Sequence, residues 1–134
     1  MINYNYIDNM ADCVQNIESF SVFESGNIRV ISKGNEVFNK ILKNIEELFS
    51  TSRVMPAFGV SLHDETLNAL KQDNWLQINF NEELEKNGLP FSSLLFKLEI
   101  TSGMNLIRLY NGKYDGRCIY LDLNEPIDLN CILN

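Results

Sequence analysis

Chemistry in this chain has few places to start, because its 134 residues include a single histidine. His63 stands in the run His63-Asp64-Glu65, where an imidazole meets carboxylates. A catalytic histidine needs a neighbour that fixes its tautomer and a substrate group within reach. Side chains adjacent in sequence seldom face one another, and Asp64 has a competing task as the cap of a following helix. His63 therefore reads as a loop residue; the competing reading is a small enzyme or ligand-binding domain with His63 near its pocket. The three cysteines, Cys13, Cys118 and Cys131, are odd in number, far apart and free of any CxxC pattern. A zinc site would have to recruit carboxylates. Cys118 lies between Arg117 and Ile119 in a strand-like run, where a small buried hydrophobe is expected. Reduced, unpaired thiols in a cytoplasmic protein are the simplest expectation.

Carboxylate pairs occur at Glu46-Glu47 and at Glu82-Glu83, the latter with Glu85 close by. Glycosidase-type chemistry needs two carboxylates facing each other across a cleft. The first pair belongs to a helix whose apolar stripe already accounts for it, and the second reads as a polar connection. The glycines at 34, 59, 88, 103, 112 and 116 form neither GxGxxG nor a P-loop. No catalytic residue, no metal ligand set and no cofactor follows from these patterns.

The elements that would position such groups can be read from periodicity. Met10, Cys13, Val14, Ile17 and Phe20 recur at helical spacing, so a helix is expected over 9–23. Ile28 to Ile31 reads as a short strand. Val37, Phe38, Ile41, Leu42, Ile45, Leu48 and Phe49 make one continuous stripe over 36–49, with Asn35 as N-cap and Glu36 in the first turn. A strand interrupted at Pro56 is expected over 54–62, and a short helix from Asp64 through Gln72. Leu76, Ile78 and Phe80 alternate with Trp75, Gln77 and Asn79, the mark of a half-buried strand. Glu82 to Gly88 reads as an acidic connection. Residues 90–102 fit either periodicity; Pro90, Ser92-Ser93 and Gly103 favour a helix. Strands at 105–110 and 117–123 are joined through Asn111-Gly112 and Asp115-Gly116, which supply positive-φ turn residues. The apolar tail from Pro126 onward is expected to dock on the core. The sum is one α+β domain spanning 1–134, a mainly antiparallel sheet with a C-terminal hairpin at about 105–123 and helices packed on one face.

Composition narrows the partners. Eighteen acidic residues against eleven basic ones give a net charge of −7. That balance repels phosphate, which disfavours direct nucleic-acid binding and anionic membranes. No apolar run is long enough to span a bilayer, and the first residues carry neither the basic nor the apolar region of a signal peptide. A basic protein partner is favoured, and the plain alternative is that the charge only confers solubility. In size, charge and composition alone the chain resembles the immunity proteins that neutralise bacterial toxins. The resemblance implies an inhibitor whose acidic side chains steer it onto a basic site while aromatics anchor the contact. The partner-binding candidates are Glu82, Glu83, Glu85, Tyr114 and Asp115, with Trp75 joining them if its strand face is open. A homo-oligomeric accessory protein is a further reading.

Overall fold

The fold is that of a computed structural model, described here for residues 9–56, 68–86, 88–113 and 117–129. The longest apolar stripe in the sequence forms the helix. Helix α1, Glu36–Thr51, carries Phe38, Ile41, Ile45, Leu48 and Phe49 into the core, with Val37 and Leu42 half-buried beside them. Asn35 caps it, its side chain accepting from the Val37 amide at 2.9 Å. At the other end the Ser52 backbone N–H and its hydroxyl both donate to the Leu48 carbonyl, closing the last turn.

Besides a 3-10 turn over Ala11–Asn16 and a helical stub at 68–69, the remaining elements among the described residues are strands: β1, Ile17–Glu24; β2, Asn27–Ser32; β3, Arg53–Pro56; β4, Asn74–Lys86; β5, Leu89–Lys97; β6, Glu99–Ile100; β7, Gly103–Tyr110; β8, Cys118–Leu123; and β9, Ile127–Asp128. Seven of them form one antiparallel sheet in the order β2-β1-β4-β5-β7-β8-β3, and β6 pairs with β9. The fold is therefore α+β, a mainly antiparallel sheet with its helix on one face. The expected C-terminal hairpin is the β7–β8 pair, in register from Gly103 opposite Leu123 to Arg108 opposite Cys118.

One face of the sheet packs against α1. Phe20, Val22, Leu76, Ile78, Leu94, Phe96, Ile107, Leu109, Ile119 and Leu121 meet the helix stripe in one cluster, and the Phe20 and Phe38 rings lie 5.0 Å apart. Burial of this kind contributes about 1.5–3 kcal/mol per large aliphatic or aromatic side chain. The opposite face carries a hydrogen-bonded polar plaque. The Asn79 amide donates to the hydroxyls of Ser19 and Ser21 and accepts from Gln77 and Ser93, all within 3.1 Å.

Three expectations fail in instructive ways. Residues 9–23 are not a helix. A 3-10 turn over Ala11–Asn16 precedes strand β1, and Met10, Cys13, Ile17 and Phe20 are all buried, as helical spacing required, but from two different elements. The alternation of Phe20 and Val22 with Ser19 and Ser21 is the signal that prevailed. Residues 90–102 do not form a helix either. They supply most of β5 and all of β6, and Phe91 and Ser93 to Phe96 are all buried. A strand in the middle of a sheet, covered on both faces, loses the period of two that would have announced it. Finally, Glu82 to Lys86 is not a connection, because β4 continues through it and pairs with β5. The expected strand over 54–62 begins as β3, and the expected helix before Trp75 is helical at 68–69 and ends in turns at 70–72, closed by the Asp73 backbone N–H donating to the Ala69 carbonyl; what lies between falls outside the described residues.

Candidate functional site

The acidic residues singled out from sequence lie on a broken stretch of β4. Asn79 pairs with Ser93 and Leu84 with Phe91, so residues 80–83 of β4 stand opposite the single residue Ser92 of β5. Backbone that exceeds its partner strand must leave the ladder, and such bulges re-aim the side chains they carry. Glu82 and Glu83 are exposed on this bulge, and Glu85 is exposed just past it, opposite Pro90. The neighbouring strand breaks register at the same level: in β1 the ladder shifts between Ile17, which pairs with Phe80, and Ser19, which pairs with Asn79. The residue at that shift is Glu18, also exposed. Two adjacent irregularities thus gather Glu18, Glu82, Glu83 and Glu85 at one end of the sheet.

Glu18 is not among the residues singled out from the sequence, where helical spacing is read over 9–23. The period of two in Ser19 to Val22 was the signal that could have found it. Nearby, Lys86 is buried and its ammonium lies 2.9 Å from Asp12. This ion pair fastens the 3-10 turn to the β4–β5 hairpin, so Asp12 is engaged structurally. The second expected contact, the β7–β8 tip, begins at the same end, since Tyr110 pairs with Ser93 and its carbonyl accepts from the Ser92 hydroxyl. Tyr114 and Asp115 lie outside the described residues. The described part of the tip carries Lys113 and Arg117, both exposed, so the acidic character belongs to the bulged strands.

Trp75 is elsewhere, and its candidacy as an exposed anchor is corrected. It lies toward the far end of β4, opposite Phe23 and Lys97, and only 1% of it is exposed. Its strand face is covered locally. The indole N–H donates to the Ala69 carbonyl at 3.3 Å, the Arg108 guanidinium stacks 4.8 Å from the ring centroid, and the Lys97 ammonium sits at 5.6 Å. Lys97 is also paired with Asp73. Beside this cluster β5 and β7 part company after Leu95 and Arg108. A cleft of about 250 Å³ opens there, lined by Trp75, Phe96, Lys97, Glu99, Met104 and Arg108.

Among the remaining candidates, Cys13 and Cys118 are buried thiols outside any disulfide. Burial pushes the Cys118 thiol above its ordinary range, against the opposing pull of Arg108, so it is a poor nucleophile. His63 and Cys131 lie outside the described residues. Glu46 and Glu47 are exposed on α1. Among the described residues no group of three or more His, Cys, Asp or Glu could hold a metal ion. No helix among them is long and apolar enough to cross a membrane. Comparison with known proteins gives no relative to reason from: no family model, no curated protein and no solved structure matches the chain.

Proposed function

We propose that this chain is a binding protein of the inhibitor or immunity type, and that it engages a basic protein partner, such as a bacterial toxin, through the acidic end of its sheet. The observation that carries the reading is the pair of register breaks at one level of β1 and β4, with exposed Glu18, Glu82, Glu83 and Glu85 at or next to them. Bulged strands within a packed sheet present side chains at low ordering cost, and charge of one sign raises the encounter rate with a partner of the other. The net charge of −7 adds a long-range attraction in the same direction.

The test is a parallel capture experiment. The parent chain and a Glu18→Lys/Glu82→Lys/Glu83→Lys variant are used as bait in lysate of the native host, and the retained proteins are identified by mass spectrometry. A basic protein retained by the parent and lost by the variant supports the reading. Retention of the same protein by both would place the contact elsewhere on the molecule, and an acidic or nucleic-acid partner would overturn the reading.

A further inference from the structure

We propose that the free edge of β2 is a self-association surface, on which a second copy of this chain pairs its own β2 antiparallel about a two-fold axis at Val30. The inference is independent of the acidic end and goes beyond it. It starts from an asymmetry between the two edges of the seven-stranded sheet. Over its described residues the β3 edge runs Arg53–Pro56 and includes Pro56, which has no N–H to offer, and its exposed Arg53 is tied to Asp122. Those are the devices by which sheets blunt an edge. The β2 edge has six residues, no proline, and two exposed β-branched side chains, Ile28 at 63% and Val30 at 61%.

The backbone on that edge is aimed outward in a fixed pattern. Ser25 and Gly26 form a two-residue turn with positive φ at both positions, 48° and 90°, the signature of a type I′ hairpin. The flanking pair Glu24 and Asn27 is then a hydrogen-bonded pair, and bonding to β1 alternates from there through Arg29 and Ile31. Ile28, Val30 and Ser32 turn their N–H and C=O groups to the open edge, and their side chains share the face away from α1. The Ser32 carbonyl already accepts from Asn35, which leaves five outward groups.

The choice of occupant rests on how these groups match themselves. With Val30 opposite Val30 of the partner subunit, four backbone hydrogen bonds form. Two join the Val30 residues, and two run from each Ser32 N–H to the Ile28 carbonyl across the axis. Arg29 then faces the partner subunit's Ile31, and no like charges oppose. Sliding by one pair in one direction sets Arg29 against Arg29 of the partner subunit. Sliding the other way sets Arg29 against the partner subunit's Lys33 and leaves only two clean bonds. Like charges directly opposite are destabilising, so the strand is complementary to itself in one register. That register also brings Ile28 and Val30 of both copies into one apolar strip, which is the self-complementarity an isologous dimer requires.

Sedimentation of the full chain over a concentration series tests this, with amide exchange read alongside. The expected result is a concentration-dependent shift from one chain to two, with exchange slowing at the Val30 and Ser32 amides as dimer forms. Val30→Lys puts two ammonium groups on the axis and should abolish the shift. Val30→Thr, which keeps the β-branch and hence the strand, should weaken it several-fold. Met104→Lys, at an exposed apolar residue away from β2, should leave it unchanged. A chain that stays monomeric up to about 1 mM, a dimer indifferent to Val30→Lys, or one equally sensitive to Met104→Lys would overturn the proposal.

Discussion

The two ends of strand β4 use their polar and aromatic residues in opposite ways. At one end, Trp75 is enclosed, with its N–H bonded to a backbone carbonyl and two cations against its ring. At the other, register breaks lift Glu18, Glu82 and Glu83 into solvent with little holding them. Thirteen residues of one strand therefore join a region whose side chains stabilise the fold to a region whose side chains are free to meet something else. Residue type alone does not separate these roles: an aromatic is the usual interface anchor, yet here the acids are offered and the aromatic is withheld.

Perturbing each end should give distinguishable results. The largest effect is expected at Trp75. Trp75→Ala removes a large buried ring and should destabilise by about 3–5 kcal/mol, measured by denaturant unfolding. A small loss of stability together with a large loss of partner affinity would reverse the assignment of the two ends. Ile41→Ala, in the helix stripe packed against the sheet, should cost about 2–5 kcal/mol, and Leu42→Ala, half-buried, clearly less; equal costs would mean the stripe is rotated from its described position. Arg108→Ala tests the enclosure of the indole and should cost about 1–2 kcal/mol through lost stacking and packing.

Cys118 supplies a pH test on the same side of the sheet. Its folded-state pKa is raised by burial, so the folded chain holds its proton where the unfolded chain has released it. This contribution to stability is complete below the unfolded thiol pKa and declines as pH rises through that value toward the folded one. Unfolding free energy should fall more over that alkaline window in the parent than in Cys118→Ala. The smallest effect on stability is expected at the acidic end, where Glu82→Lys/Glu83→Lys should change it by no more than about 0.5 kcal/mol. A larger loss would show that these acids do structural work.

How much of this was legible in the sequence follows from what each signal depends on. The α1 stripe, the Asn35 cap and the β7–β8 hairpin are specified by neighbours within a few residues, and all three were readable. The β4 alternation was readable as far as Phe80, where the ladder is regular, and lost where the bulge begins, because a bulge is a property of two strands and leaves no mark in one. β5 was obscured by its central position, which buries both faces, and Ser92-Ser93, which looked like a helix start, instead bond outward to Tyr110 and Asn79. The acidic pair itself was visible; that Glu18 joins it depends on β1 lying beside β4, a pairing of residues about sixty positions apart. The fate of Trp75 was beyond a one-dimensional reading for the same reason, since Arg108 and Lys97 reach its ring only through the order of the strands.

The central claim is that the acidic end steers the chain onto a basic partner. Its most direct test is the association rate with the protein retained in the capture experiment, measured for the parent and for Glu82→Lys/Glu83→Lys at about 0.05 M and about 0.5 M salt. The account predicts that the parent associates fastest at low salt, that charge reversal slows it there, and that the two rates converge at high salt while dissociation changes little. Association that is indifferent to salt and to charge reversal would contradict it, and would leave the acidity as a feature of solubility.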